Sequence, residues 1–568
     1  MFKKDSKLKL FKAPKKGEIL GEDPMHIDEL PVKKVPDYMR RRHGVWYWTG
    51  AIITAAFLYQ IISGLLLLLY YNPADAYAST EDIVHSIPYG SLILTTHLYG
   101  AYAMIFLIYV HLFRNYFFGS YKKPREIQWI LGVLLLAVTV GVGYFGYSMS
   151  GDVLSSDATD VGRGIAEVVP FVGTQLEAIF FGNGTSVSLF QHMLAWHIIL
   201  TALIGVLFGA HFWLAEANGF MPRHKDTNNK APAIDTEKPD YKPWYPYNMV
   251  FIIQLGLFTF AFIFLIPSVL AILHNITSIG VPTLFDPFPQ VSPSSPAAGN
   301  VPTYPPWFLL FIFKAVDFEI FDSAGALEAL AASAVFGIIP LLYFILLPFI
   351  DRTPDTHPLS RPLVTSFGIL GIIYLIILSA WGAMSPGIPI PTPEVLAVLL
   401  PPFVIVIGGI YFLSRAYKKG KFQVSQRKII TSFLIFLLIL IIAAYNFGEG
   451  FVGTMVSPNG LNLVSTMFSG GVLTFGAIGT MKSAKMAVDT SEKEKKDKNS
   501  IAYYSMNTNV AMFLSALLMI GSIIIAYFIL QLNPIGEVPN GEFGIGLAFI
   551  MIFAGLIVRI YRAAFYHE

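Results

Sequence analysis

Long uninterrupted apolar runs constrain the fold of this 568-residue chain more than any other feature. A helix needs roughly 20 apolar residues to cross the hydrocarbon core of a bilayer, which is about 30 Å thick. Such runs recur along the whole sequence and predict an all-α polytopic membrane protein with about 12 transmembrane helices. The expected limits are 46–71, 91–118, 127–149, 190–215, 247–274, 327–350, 363–385, 394–414, 428–447, 463–482, 508–531 and 541–563.

Charged residues are scarce and unevenly placed. They make up 13% of the chain, against about 25% in soluble domains. The 39 basic residues nearly balance the 37 acidic ones, which argues against a nucleic-acid partner. If the N-terminus is cytoplasmic, only Arg163 and Lys314 among the basic residues fall on the outer side. The positive-inside rule therefore predicts a multi-pass protein of the cell membrane with both termini in the cytoplasm.

Histidine is the residue type that can hold a redox metal here. The chain has no cysteine, which excludes disulfides, iron–sulfur ligation and covalent c-type haem within it. His97 and His111 lie 14 residues apart on the second predicted span, and His197 and His211 lie 14 apart on the fourth, which runs in the same direction. Fourteen residues are about 3.9 helical turns, so each pair projects from one face at two levels about 21 Å apart.

An imidazole in hydrocarbon needs a hydrogen bond, a charged partner or a metal. One histidine from each helix at each level would ligate one iron, which gives all four rings a partner. We therefore predict a four-helix bundle that holds two haems, one above the other, with the four histidines as the metal ligands.

Four glycines repeat the same interval. Gly50 and Gly64 lie 14 residues apart on the first predicted span, as do Gly132 and Gly146 on the third. A macrocycle wedged into a four-helix bundle requires neighbouring backbones without side chains. We therefore expect Gly50 and Gly132 at the inner haem and Gly64 and Gly146 at the outer one.

Longer motifs carry a family resemblance. They are YQIISGLLLLLYYNP (59–73), HLYGAYAMIFLIYVHLFRNYFFGSYKKPREIQWILG (97–132), GYFGYS (143–148), VVPFVGTQL (168–176), WYPY (244–247) and SRPL (360–363). Over residues 35–415 the chain resembles cytochrome b of the cytochrome bc1 and b6f complexes. It looks like a divergent member, such as one from an archaeal respiratory chain.

The resemblance implies a function and a set of site residues. His97 and His197 would bind a low-potential haem near the outside, and His111 and His211 a high-potential haem near the inside. Arg114 would pair with a haem propionate. The haems would be b-type, or an a-type variant. The family oxidises quinol on the outer side, passes one electron to a Rieske iron–sulfur protein and the other across both haems to an inner quinone site, and translocates protons.

The resemblance also implies an assembly. Expected partners are the Rieske protein, quinone, lipid, and a downstream cytochrome, copper acceptor or terminal oxidase, in a dimeric or supercomplex arrangement. The expected divisions of the chain are a cytoplasmic basic tail (1–40), the dihaem core (41–220), a cytoplasmic linker (221–245), the C-terminal cytochrome b helices with an outer quinol-site loop (246–415) and a four-helix extension (416–568).

Departures from the family pattern lie at both quinone sites. The family's outer Pro-Glu-Trp-Tyr motif is here Pro305, Pro306, Trp307 and Phe308, so the proton-accepting glutamate is absent. Asp152, which matches an acidic position of the b6f branch, could replace it, as could Asp317 or Glu319. At the inner quinone site, Glu216 stands where the family has a quinone-binding histidine. Glu216 would either protonate quinone or cap the membrane interface.

Two other functions compete with quinol oxidation by a Rieske-type complex. One is a haem-binding membrane anchor that links a peripheral dehydrogenase or terminal oxidase to the quinone pool without bifurcation, and the missing glutamate favours it. The other is a twelve-helix transporter with incidental histidines, although the two halves show no repeat.

Overall fold

The computed structural model describes residues 33–40, 44–222, 227–234, 237–238, 241–276, 281–419, isolated positions between 435 and 479, and 506–566. Most of the predicted N-terminal tail lies outside the described residues, as do most of the predicted span 428–447 and half of the predicted span 463–482. In the described part, helices and isolated β-bridges account for the regular structure.

The described α-helices are numbered in chain order. They are α1 (Thr49–Leu68), α2 (Ala76–His85), α3 (Gly90–Phe118), α4 (Glu126–Ser148), α5 (Val153–Glu167), α6 (Gly173–Phe181), α7 (Ser186–Asn218), α8 (Met249–His274), α9 (Leu310–Val316), α10 (Glu328–Ser333), α11 (Ile339–Ile350), α12 (Pro362–Met384), α13 (Thr392–Lys418), α14 (Thr508–Ile529) and α15 (Glu537–Tyr561).

Ten helical segments of the described residues are long and apolar enough to span a membrane. They coincide with ten of the predicted spans, so the predicted class of all-α polytopic membrane protein is confirmed. The observed helices extend past the apolar runs where polar groups cap them. α7, for example, begins earlier than predicted because the Thr185 hydroxyl accepts the Ser188 N–H; a capping side chain supplies one of the acceptors that the first helical turn lacks.

Four helices form the bundle that contains the predicted ligands. α1 packs along α3, and α4 packs along α7. α7 ends where the Arg125 guanidinium donates to the carbonyls of Asn218 and Gly219, at 3.0 and 3.1 Å. These bonds satisfy carbonyls that a helix end leaves open. A cation at this position also suits the negative end of the helix dipole.

Further helices surround the bundle. α8 packs on α1 and α3, α12 on α9 and α13, and α11 on α4. The C-terminal helix α15 lies along α8 and also contacts α3. The last part of the predicted extension is therefore packed directly against the core helices rather than separated from them.

The two ends of the molecule differ in charge. We call the end with Arg40, Lys122, Arg125 and Arg361 the basic end, and the opposite one the distal end. α3, α7 and α11 end at the basic end, and α1, α4, α8 and α12 begin there, as the contacts among their connections show.

A buried carboxylate joins two connections at the basic end. Asp351 comes directly after α11, and its carboxylate lies 3.0 Å from Lys122 Nζ and 3.5 Å from Arg361 Nη1. Tyr121 donates its hydroxyl to the same carboxylate. Burial alone would raise the pKa of Asp351, but hydrogen bonds from Tyr121, Thr353 and Lys122 outweigh it and hold the pKa below its usual value. This Asp351 cluster fixes the α3–α4 turn to the α11–α12 connection.

Candidate functional site

The four predicted ligands meet as two pairs inside the bundle. The ring centroids of His97 and His197 are 6.3 Å apart towards the distal end. Those of His111 and His211 are 6.5 Å apart towards the basic end. Each pair joins one ring of α3 to one ring of α7. The 14-residue spacing on both helices therefore gives two levels, as the sequence predicts.

Each ligand ring is anchored through Nδ1. On α3, His97 Nδ1 lies 2.8 Å from the Ser63 hydroxyl and His111 Nδ1 lies 2.7 Å from the Thr49 hydroxyl. Ser63 gives its own proton to the carbonyl of Tyr59, at 2.8 Å, so it accepts from His97. This arrangement places the His97 proton on Nδ1 and the lone pair on Nε2. At His111 the amide nitrogen of Asn115, which only donates, lies 3.1 Å from Nε2, so that ring also carries its proton on Nδ1.

The α7 ligands are anchored by backbone instead. His197 Nδ1 is 3.0 Å from the carbonyl of Val142, and His211 Nδ1 is 2.8 Å from that of Gln128. A carbonyl only accepts hydrogen bonds, so both rings carry their proton on Nδ1. All four rings thus share the tautomer that an Nε2 metal ligand requires.

The four glycines face the ligand rings. A methyl group built on Gly146 would lie 2.7 Å from Cε1 of His197, and one on Gly132 would lie 3.0 Å from Cε1 of His211. The corresponding distances are 3.2 Å for Gly64 to His97 and 3.6 Å for Gly50 to His111. The glycines therefore make room for the imidazoles themselves, a closer relationship than the predicted one with a macrocycle.

A cavity of about 190 Å³ adjoins the pair at the basic end and is lined by both rings, Gly50, Gly132 and Arg114. The Arg114 guanidinium is held between the rings of Tyr47 and Phe118, at 4.6 and 4.7 Å. Its buried Nη2 finds no hydrogen-bond partner among the described residues. A buried donor without a partner is costly, and an anionic group in the cavity would satisfy it. Opposed Nε2 ligands, ring-facing glycines and this donor fit a haem with its propionates.

Comparison with known proteins gives the family. Residues 102–293 match the family model described as cytochrome b(N-terminal)/b6/petB. The cytochrome b of Sulfolobus acidocaldarius is 41% identical over 408 residues, which are 70% of this chain and 70% of that protein. This chain belongs to the cytochrome b family.

Two further matches have lower identity. The cytochrome b subunit of a cytochrome bc complex from Chlorobaculum thiosulfatiphilum is 31% identical over 356 residues, 62% of this chain and 76% of that protein. A solved chain titled hyperthermophilic respiratory Complex III has a TM-score of 0.48 and 24% identity, and covers 67% of this chain and 92% of its own. The predicted resemblance to a divergent, archaeal-type cytochrome b is confirmed by the Sulfolobus relative. Family membership implies haem binding and electron transport in a respiratory-chain membrane.

The outer motif residues lie against α3 and α4 near the distal end. Pro305, Pro306 and Phe308 are buried, and Trp307 and Phe308 contact the ring of Tyr102 at 6.2 and 6.3 Å. Phe308 also approaches Gly143, where a methyl group would lie 2.9 Å from the phenyl ring. Gly143 lies three residues before Gly146, the glycine that faces His197, so α4 connects this motif to the distal histidine pair.

The three candidate acids of the distal end have different surroundings. Asp152, 5% exposed, caps α5: its Oδ1 accepts from Ser155 N at 2.9 Å, and its Oδ2 from Gln290 N at 2.7 Å. Asp317 pairs with the buried amine of Lys314 at 3.0 Å, and burial raises its pKa. Glu319 is exposed.

Glu216 lines the cavity at the basic end, together with Arg114 and His211. It lies near the end of α7, so it sits close to the interface as well as close to the ligand pair. Both predicted roles for Glu216 remain predictions.

The sequence interpretation missed the groups that anchor the ligands. Thr49 and Ser63 are 14 residues apart and directly precede Gly50 and Gly64. The 14-residue interval that identified the glycines could therefore also have identified the two hydroxyl groups. The carbonyls of Gln128 and Val142 are also 14 apart, but backbone acceptors leave no mark in a sequence.

Proposed function

We propose that this chain is the dihaem cytochrome b subunit of a respiratory quinol-oxidising complex of the bc type, with a Rieske iron–sulfur protein as electron acceptor and proton translocation as the outcome. The observation that carries the proposal is the two histidine pairs, in which all four rings are anchored through Nδ1 and carry their lone pair on Nε2. Metal binding through Nε2 requires one tautomer of all four intramembrane imidazoles, whereas transport without redox chemistry does not require it.

The chain's own residues would position the cofactors. When bound, haems b (or an a-type variant) supply one-electron redox centres, and quinol supplies electrons and protons. His97 with His197 and His111 with His211 would hold the irons, and their Nδ1 partners would set ligand orientation and basicity. Arg114 would neutralise a propionate with a charge-assisted hydrogen bond.

We propose quinone sites at both ends. At the distal end, Pro306, Trp307 and Phe308 would form an apolar wall next to α3 and α4, and Asp152 is the proposed proton acceptor in place of the missing glutamate. The Asp152 Oδ2 accepts a hydrogen bond from Gln290 N and keeps a second lone pair to which a proton would add. At the basic end, Glu216 would serve a quinone that enters beside the cavity.

The assembly is part of the same proposal. Residues 41–220 would form the dihaem core, 246–415 the C-terminal cytochrome b helices and 416–568 an extension, with 1–40 and 221–245 in the cytoplasm. The complex would sit in the cell membrane as a dimer or supercomplex, with a downstream cytochrome, copper protein or terminal oxidase as further partner. The charge difference between the two ends of the molecule supports this orientation.

Haem stoichiometry tests the proposal directly. Pyridine haemochrome analysis of the purified complex should give two haems per chain, and His97→Ala and His211→Ala should each remove one. His192→Ala is the matched control, because His192 is also on α7 but bonds the Ser188 carbonyl at 2.7 Å and belongs to neither pair. Retention of both haems in the two ligand variants would reject the proposal.

A haem-binding anchor without bifurcation is the second candidate. Two observations favour it: Pro306 replaces the motif glutamate, and the Asp152 carboxylate already accepts hydrogen bonds from Ser155, Ser150 and Gln290. Co-purification separates the two candidates, because a Rieske subunit supports the first and a peripheral dehydrogenase or terminal oxidase without a Rieske subunit supports the second.

A further inference from the structure

The two histidine levels on α3 are 14 residues apart but have different neighbours on the C-terminal side of the ligand. Three and four residues after His97 the chain has Gly100 and Ala101. At the same offsets after His111 it has Arg114 and Asn115. Residues three and four apart on a helix share a face, so only at the basic end does α3 itself place polar side chains one turn after its histidine.

Asn115 bridges the arginine to the ligand. Its Oδ1 accepts from Arg114 Nη1 at 2.9 Å and from Ser120 Oγ at 3.3 Å, and these donors fix which end of the amide is oxygen. Its Nδ2 lies 3.1 Å from Nε2 of His111. An amide nitrogen only donates, so Nε2 is the acceptor and the His111 proton is on Nδ1, directed to Thr49.

Occupation of Nε2 by iron would end this bond. The lone pair that accepts from Asn115 is the one that an iron ligand uses, so the amide must release it. The freed amide would then be a second unsatisfied donor, one residue from the buried Arg114 Nη2 that already finds no partner among the described residues. Both residues line the same cavity. A carboxylate is the acceptor that suits an arginine and an amide together.

We propose that Asn115 is a haem-responsive latch: it keeps His111 in the ligand tautomer before haem binds, and afterwards donates its amide to the haem carboxylate held by Arg114. The inference rests on the proposed function, since it requires a haem between His111 and His211. It assigns a positioning role to a residue whose counterpart at the distal level is Ala101.

A latch of this kind has a kinetic signature. Without the amide, haem meets no competitor for Nε2, so uptake becomes faster; without the second donor to the carboxylate, release also becomes faster. We expect Asn115→Ala to accelerate both steps, with a net weakening of about tenfold, which for a one-electron centre corresponds to about 59 mV if it affects one redox state only. The distal haem in the same molecules should be unchanged.

The experiment measures hemin uptake and release by Soret absorbance in the detergent-solubilised full chain. The His97→Ala background isolates the centre at the basic end, and the wild-type background reports both. Asn115→Asp is the isosteric second variant: its carboxylate cannot donate to His111 and pairs with Arg114, so we expect slower uptake than in Asn115→Ala and the fastest release of the series.

The outcomes are distinguishable from those of the proposed function. If the wild-type chain binds two haems but the rates of both Asn115 variants stay within twofold of the parent, the latch is rejected. Slower uptake with faster release in Asn115→Ala also rejects it, because the amide would then not compete with haem for Nε2. Loss of both haems in the two variants rejects it as well, because Asn115 would then only support folding. A wild-type chain without haem rejects the proposed function itself.

Discussion

A hydrogen bond behind a metal ligand sets both its orientation and its electron donation. The two α3 histidines proposed as ligands bond hydroxyl groups, whereas the two α7 histidines bond backbone carbonyls that no substitution can remove. Ser63 and Thr49 are nearly inaccessible, at 2% and 3% exposure. The hydroxyls are therefore the positions at which the two proposed haem sites can be changed independently.

Ser63→Ala should alter only the distal centre, and Thr49→Val only the centre at the basic end. Each change removes the acceptor of an Nδ1 proton, which makes the ligand a weaker donor to ferric iron, so the reduction potential of that centre should rise by the equivalent of about 1 kcal/mol. Redox titration followed at the two α-bands measures this. A shift of both centres by either variant would contradict the assignment.

Alanine in place of the glycines should have graded effects. A Cβ at Gly146 would lie 2.7 Å from Cε1 of His197, closer than real Cβ atoms come, whereas one at Gly50 would lie 3.6 Å from His111, an ordinary contact. We expect Gly146→Ala to displace His197 and lower distal haem occupancy by at least half, and Gly50→Ala to be tolerated. Haem-to-protein ratios of the purified variants measure the difference. Equal occupancy in both would contradict the ring-facing role of Gly146.

At the scale of single residues, the sequence predicted those site residues that recur at a fixed interval. The four histidines and four glycines stand out because one period of 14 residues repeats on four helices. The environment of Asp152 could not be predicted, since its Oδ2 partner Gln290 is 138 residues away. A local motif shows that an acid is present, but only the fold shows which donors surround it.

Buried contacts between two helix connections hold α3 and α4 next to α11 and α12 at the basic end. The Asp351 cluster ties the turn after α3 to the connection before α12 through Lys122, Tyr121 and Arg361. The Asp351 and Lys122 side chains are each only 4% exposed. Breaking a buried ion pair leaves the remaining charge without compensation.

Asp351→Asn should therefore destabilise the protein by about 3 kcal/mol. Because the pKa of Asp351 is held below its usual value, the wild-type cluster contributes stability above the unfolded pKa of about 3.9 and loses it as the pH falls through the lower folded pKa. Thermal unfolding of wild type and variant between pH 7 and pH 2 measures this. The difference in melting temperature should shrink below pH 4, and a constant difference would contradict the electrostatic origin.

The contact between α15 and α8 depends on small residues. A methyl group on Gly544 would lie 2.0 Å from the Ser268 hydroxyl and 2.7 Å from Leu92, and one on Gly541 would lie 2.9 Å from the Ser268 carbonyl. Close approach of membrane helices generally requires such residues, because lipid offers no hydrophobic drive for helix association.

Gly544→Leu should loosen α15 from α8 at a cost of at least 1–3 kcal/mol, as expected for overpacking. Limited proteolysis in detergent should then release a C-terminal fragment earlier than in wild type, with haem spectra unchanged. Gly408→Leu is the matched control, because a Cβ there meets nothing within 4 Å. Identical proteolysis of the two variants would show that the glycine contact does not hold α15.

For the whole molecule, hydropathy alone predicted the class and ten spans, since a bilayer fixes the minimum length of a helix. Nine have ends within about four residues of the predicted ones, and the tenth, Glu319–Ile350, begins eight residues earlier than predicted. The lateral arrangement of the helices could not be predicted in this way. Hydropathy does not separate a buried helix from an exposed one. The bundle helix α7 and the surrounding helix α8 are both strongly apolar, yet α7 is far more exposed than α8.

Orientation is the property of the whole molecule that charge predicts and that labelling can test. The chain contains no cysteine, so each introduced thiol is the single reactive one. Gly164 lies at the distal end on α5, with nothing within 4 Å of its Cβ position, and Lys418 lies exposed at the basic end of α13.

The positive-inside rule places the basic end in the cytoplasm. In intact cells a membrane-impermeant maleimide should therefore label Gly164→Cys at once and Lys418→Cys only after permeabilisation. The reverse pattern would invert the proposed topology and move the quinol site to the cytoplasmic side, whereas labelling of both in intact cells would mean that one of the spans between them does not cross the membrane.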